Sequence, residues 1–393
     1  MHQNTLTDDL KLPEKANLNR PLLIVGVIGL LISAVGLFTN TQQFFFSYLV
    51  SFTFVASISL GALFWVMLQF VTRSNWSVVF RRIPETLAAN LYLLPILFIP
   101  LLFGLEYLYE WLDPTMIAED ELTQHKQPYL NATFFVIRNI IYFSVWSFLG
   151  YKIYKNSTEM DESADWDIDV KQRTYSAPGL LLFAFTVAFA SFDWLMSLDS
   201  HWFSTMFGVY FFAMSFQAIL AVVILLCLYL QKQGILLNTI KMVHINDLGI
   251  LLFGFTVFYA YIAFSQFFLI YYANIPEETM WYYYRLQGTW SFFTYLFLIG
   301  RFIIPFILLL GKRAKTNRTL LTVISIGLIV LHFIELHWIA MPVLHDNFSF
   351  HWLDVATIIG LTCIVLGLFF RQFGKNNMVP KNDPLVLESL NKH

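Results

Sequence analysis

FSTMFGVYFFAMSFQAILAVVILLCLYL, residues 203–230, contains no Asp, Glu, Lys or Arg. At about 1.5 Å rise per residue, a helix of this length crosses a hydrocarbon core of about 30 Å. Nine further apolar runs of comparable length lie near 21–39, 44–71, 87–108, 131–155, 178–199, 247–273, 287–310, 319–341 and 352–371. The whole chain is 58% hydrophobic and 13% charged, with a mean hydropathy of +0.62. A soluble domain is about 45–50% apolar and about 25% charged. The sequence therefore predicts an all-α integral membrane protein of ten spans. A polar segment 1–20 precedes the membrane domain 21–371, and a polar segment 372–393 follows it.

Charge sets the expected direction. The ends of the chain and the loops 72–86, 156–177, 231–246 and 311–318 carry nearly all the basic residues. Of 24 Lys and Arg, Lys126 and Arg285 fall on the other side and Arg138 and Arg301 inside spans, which leaves 20. The positive-inside rule then places both termini in the cytoplasm. The outer loop 109–130 is acidic. The first run has no small-residue cleavage site after it and reads as a retained span. Glycines and serines there, such as Gly29, Ser33 and Gly36, allow close helix approach. Ser176-Ala177-Pro178 reads as a capped start to the fifth span. Pro95, Pro100 and Pro305 are expected to kink the third and eighth. A net charge of −2 and the lack of a basic motif give no reason to expect nucleic-acid binding. Cys227 and Cys363 are too few for an iron–sulfur cluster, which takes about four thiolates, and read as helix thiols.

Ionisable groups inside spans are costly and are functional candidates by default. Asp193 lies about 9 Å below Asp199, the latter at the outer mouth. His332 and Glu335 are one turn apart on the ninth span and share a face. These three, Asp193, His332 and Glu335, form the expected outer proton relay. Burial favours the neutral form of a carboxyl group, which suits holding and releasing protons near neutral pH. Asp199 and His201 read as a polar turn between spans five and six. Glu106 and Arg138 sit at matching outer depth on adjacent spans and are expected to form a structural ion pair. His337, beside Trp338, reads as an interfacial histidine. On the inner side, His244 and Asp247 could open a proton path or simply start a helix. Arg301 is the third inner proton-path candidate; it is too deep to reach water and needs a buried acceptor. No metal site is expected. Only His332 and His337 lie well inside, on one helix and on different faces, which does not suit heme ligation.

SFDWLMSLDSHWFSTMFGVYFF, from Ser191 to Phe212, carries a resemblance. Asp193, Trp194, Ser197 and Leu198, followed by Trp202, Ser204, Thr205, Phe207, Gly208 and Tyr210, resemble the segment shared by the two large membrane subunits of bacterial alternative complex III. Those belong to the NrfD/polysulfide-reductase membrane-subunit family. The short soluble loops are more similar to the second of the two. The resemblance implies two four-helix bundles, spans 2–5 and 6–9, flanked by spans 1 and 10, in a bacterial inner membrane. It implies a respiratory assembly that oxidises menaquinol or ubiquinol at the outer side. Electrons would pass to iron–sulfur clusters and c-type hemes on partner chains. Expected partners are a second NrfD-like subunit, an iron–sulfur/molybdopterin-like subunit, multiheme and monoheme cytochromes c, a terminal oxidase, and lipid. This chain would bind no redox centre of its own. Two rival readings stand beside it: a secondary transporter with its substrate at the same polar cluster, and a structural scaffold for the complex.

Overall fold

The computed structural model describes residues 6–163 and 166–392. It contains only helices and connecting turns among those residues. Ten helices are long and apolar enough to cross a membrane: Glu14–Thr39, Thr41–Val71, Val78–Leu102, Ala132–Glu159, Asp167–Leu198, Met206–Lys232, Met242–Ala273, Trp290–Leu310, Arg318–Val343 and Trp352–Phe373. They are spans one to ten. The outer ends of spans four and nine begin or stop at side-chain caps and turns; Asn131, for example, accepts from Phe134 N–H at the head of span four, meeting an otherwise unpaired helix donor.

Spans two to five pack as one group of four helices and spans six to nine as another. Spans two and five meet span six, and spans two and nine meet, so these helices form the seam between the groups. Spans one and ten flank these groups together. They pack on each other, and span ten packs on span two. Small residues make that contact possible: a Cβ on Gly29 would lie 2.9 Å from the Gly360 backbone. Span two is the most deeply enclosed helix, with 89% of its most apolar window buried, whereas spans one and eight each have 22%. The remaining faces are apolar, as a lipid-facing surface requires.

Two helix starts differ from expectation. Span five begins near Asp167, a full turn or more before Pro178, which lies inside the helix. Span three begins at Val78 and not at residue 87. In both, charged residues mask the hydropathy signal while the backbone is already helical. In span three, Arg81, Arg82 and Glu85 are buried and paired by charge: Arg81 Nε lies 2.9 Å and Arg82 Nε 3.2 Å from the Glu85 carboxylate.

The prolines act locally. Before Pro95, the chain passes through a tighter turn at Asn90–Leu93. Around Arg301, span eight widens into a π-helical turn, Leu298–Ile303. Pro305 cannot bond the carbonyl four residues back, that of Arg301. The Gln217 amide reaches that carbonyl instead, at 3.4 Å.

The described segments before span one and after span ten lie on the face that holds the basic loops, which is the inner face in the orientation the charges predict. The terminal segments are docked against it. Asp8 accepts four hydrogen bonds of 2.8–2.9 Å from Asn238 and Thr239, and Met378 N–H bonds Leu10 carbonyl at 2.8 Å.

Candidate functional site

Asp193 sits near the outer end of span five and is fully buried. Its two oxygens accept a forked pair of bonds from Arg138 of span four, Nε at 2.9 Å and Nη2 at 2.8 Å. Tyr142 hydroxyl, one turn along from Arg138, donates to one oxygen at 2.9 Å. Tyr129 hydroxyl, just before span four, donates to the other at 3.1 Å. The Arg138 guanidinium also bonds the Tyr129 carbonyl at 2.7 Å and lies 3.8 Å over the Tyr129 ring. Four charge-assisted bonds fix this carboxylate, and a bidentate Arg–carboxylate pair is the geometrically strongest form of such a contact. Arg138 is therefore the partner of Asp193, not of Glu106. The chain turns at Phe103–Gly104, and Glu106 emerges exposed beyond it. The Phe45 ring takes the space a Gly104 side chain would need.

Glu335 forms a second cluster in the other group of helices. One oxygen accepts from Arg301 of span eight. The other accepts from Tyr210 of span six and from Tyr259 of span seven, the latter at 2.6 Å. Arg301 is held from behind by Gln217, whose carbonyl oxygen accepts at 2.7 and 3.1 Å. Gln217 in turn donates to Thr256 at 3.1 Å. Arg301 and Glu335 are 0% and 1% exposed. Arg301 thus belongs with Glu335, not with the inner pair His244 and Asp247.

The expected outer trio does not meet. Asp193 and Glu335 lie in different helix groups, each with its own arginine and two tyrosine hydroxyls. His332 points from span nine across the seam. Its Nε2 is 2.8 Å from Ser57 Oγ of span two, and its ring lies 5.5 Å from that of Phe54. Near it, an apolar crevice of about 190 Å³ runs between spans two, three, six, nine and ten, lined by Phe54, Ile58, Val222, Ile329 and Thr362 among others.

Asp199 and His201 make the outer turn as expected. Asp199 accepts from the backbone N–H of His201 and Trp202 at 3.1 and 3.2 Å, and His201 Nε2 approaches Asp120 at 3.1 Å. The Thr123 hydroxyl, bonding Asp120, holds that carboxyl below its usual range.

A cavity of about 270 Å³ opens at this mouth, lined by Lys126, Tyr129, Phe192, Met196, Ser197, Asp199, Trp202 and Phe203 with Leu130 and Ser200. Tyr129 is common to this cavity and to the Asp193 cluster. Trp202 is 2% exposed and its indole N–H has no acceptor. Lys126 bonds the Ser200 carbonyl at 2.5 Å, and burial lowers its pKa. Burial likewise pushes the Tyr129 hydroxyl up, reinforced by Asp193, so it stays protonated as a donor. Behind Trp202, Trp281 stacks at 4.4 Å, and Arg285 lies 3.6 Å over Trp281. Arg285 bonds the Trp338 and Ile339 carbonyls at 3.2 and 2.6 Å, which meets unpaired acceptors at the end of span nine. Burial lowers the Arg285 pKa to about 9.

His337 is not an interfacial histidine. It is fully buried, 3.5 Å from Asp354 of span ten. Asp354 also accepts from Ser47 at 2.5 Å and from His351 N–H at 2.8 Å. On the inner side, His244 and Asp247 are covered by the segment after span ten. His244 Nδ1 accepts from Lys241 N–H at 2.9 Å, so its Nε2 carries the proton given to Ser389 carbonyl at 3.1 Å. Lys392 bonds Asp247. Cys227 and Cys363 are free, and the described residues hold no cluster suited to a metal ion. Of the four tyrosines that cradle the two carboxylates, Tyr210 lies in the Ser191–Phe212 motif, whereas Tyr129, Tyr142 and Tyr259 carried no sequence signal among 19 tyrosines and 41 phenylalanines.

Neither a scan of known protein-family models nor a comparison with curated proteins finds a match to this chain.

Proposed function

We propose that this chain is a membrane subunit of a bacterial respiratory complex that oxidises quinol at the outer side of the inner membrane, of the kind its Ser191–Phe212 motif resembles. The observation that carries the reading is the Asp193 carboxylate directly behind the outer-mouth cavity, with Tyr129 shared between them. A quinol ring gives up two protons along with two electrons. The aromatic walls of the cavity suit a flat ring, and Lys126 and the free Trp202 N–H are donors for its oxygens. Tyr129 donates to Asp193, so its oxygen can accept a proton from a ring hydroxyl while its own proton moves to Asp193. Arg138 and Tyr142 keep that carboxylate in place. Transfer between groups about 3 Å apart is within general acid–base reach.

The electrons go to centres on other chains: iron–sulfur clusters of a molybdopterin-like partner, then multiheme and monoheme cytochromes c or a terminal oxidase. A second NrfD-like subunit and lipid complete the membrane part.

The test replaces Asp193 with Asn in the assembled complex. Quinol oxidation and outward proton release should both fall, with the cytochromes still co-purifying. Full turnover by an intact D193N complex would reject the relay. Substrate uptake by the purified chain alone in liposomes would instead favour a transporter. Turnover that survives loss of Asp193, Glu335 and His332 together would favour a scaffold.

A further inference from the structure

The segment after span ten crosses the inner face and touches both helix groups. In the first group, its Asp383 pairs with buried Arg81. Lys381 N–H and the Asn382 amide bond Asp161 at 3.0 and 2.9 Å. In the second group, Ser389 carbonyl accepts a hydrogen bond from His244 Nε2 and Lys392 reaches Asp247. Asp383 is 5% exposed and Arg81 is 2% exposed.

The charges around Arg81 do not need Asp383. Arg81 and Arg82 already face Glu85 and Asp161, with Arg82 Nη2 2.9 Å from Asp161. Two cations and two carboxylates balance, and Asp383 adds a surplus negative charge. Departure of the segment would therefore leave no buried arginine without a counter-ion, the arrangement that makes breaking a buried pair costly. At the other end, Lys392 and Asp247 side chains keep 35% and 19% exposure, so that contact is weakened by solvent. The segment is seated firmly, yet neither buried arginine beneath it depends on its charge.

We propose that Arg81 forms a carboxylate-binding site whose ligand is Asp383 of this same chain, and that residues 375–392 are a displaceable strap. Seated, the strap clamps the two four-helix groups at their inner ends and covers His244 and Asp247. Released, it exposes both to the cytoplasmic solution while the helices stay packed.

Hydrogen exchange of the full chain in lipid nanodiscs tests this. In D383N, amides of 375–392 should exchange on the order of tenfold faster than in the unaltered protein. Exchange at the inner ends of spans three and four should not change. D383E should keep the protection. K392Q should loosen the last residues of the strap and leave the stretch around Asp383 protected. Unchanged protection in D383N would overturn the carboxylate site. Loss of protection spreading into spans three and four would show that the segment is an inseparable part of the fold, and would overturn the displaceable strap.

Discussion

Glu335→Gln should be among the most damaging single substitutions in the chain. The change removes the counter-ion of Arg301 without changing the side-chain size. Arg301 would be left 0% exposed, with only Gln217 and Met214 carbonyl oxygens as acceptors. Removing one member of a buried ion pair costs about 3–5 kcal/mol. The Tyr210 and Tyr259 hydroxyls would still find an amide oxygen, so they add little. R301Q should cost a similar amount, because Glu335 would then be the stranded charge. The double variant R301Q/E335Q leaves no buried charge. It should be more stable than the sum of the two singles by about 2 kcal/mol or more, within the usual range of coupling for residues in direct contact. Asp193→Asn should cost less than E335Q. Arg138 keeps its carbonyl contact and its place over the Tyr129 and Phe134 rings, and it lies at the edge of the bundle. The assay is unfolding in mixed micelles by rising SDS fraction, followed by tryptophan fluorescence, for all four variants. Additivity within about 0.5 kcal/mol would refute the pairing.

Three further outcomes follow from local geometry. Gly29→Val places side-chain atoms against the Gly360 backbone, 2.9 Å from a Cβ, and should lower stability by about 1–3 kcal/mol; G254A, in open space, should be tolerated in the same SDS unfolding assay. Pro305→Ala restores a donor for the Arg301 carbonyl, so the π-helical turn should tighten and the Gln217 side-chain amide should lose that acceptor, visible as a shifted ¹⁵N amide resonance. Lys126 has a pKa lowered by burial, so between its folded value and the free value of about 10.4 the unfolded chain binds more protons. Stability should therefore gain from Lys126 as pH rises through that window, and K126M should remove the alkaline gain in a pH series of unfolding curves.

The ten spans were legible because hydropathy over twenty residues is a strong signal in a chain with so few charges. Their inner boundaries were not, because Arg81, Arg82, Glu85 and Asp169 are polar residues on continuing helix and are buried by neighbours far away in sequence. Asp193 and Glu335 stood out as carboxylates at depth. Their partners did not. Depth alone allowed Glu106 as well as Asp193 for Arg138, and the choice is made by the break at Gly104, which turns Glu106 outward. For Arg301 the need for an acceptor was evident from its depth, but which acceptor was not: Glu335 lies on span nine, opposite the π-helical turn that carries the arginine. His332 and Glu335 share a helix face on paper; the seam draws the histidine to Ser57 while Tyr210 and Tyr259 hold the carboxylate.

The pairing of span one with span ten has a consequence for biogenesis. Helices enter the bilayer in chain order, and span one has its principal neighbour in span ten, far along the chain. Through the synthesis of more than three hundred intervening residues, its glycine face has only lipid to meet. The two helix groups can assemble around their arginine–carboxylate pairs in that interval, since neither group needs span one. Arrival of span ten then closes the glycine contact and covers span two in a single late step. Immature chains should thus expose the same flat glycine stripe to membrane chaperones until span ten has been made.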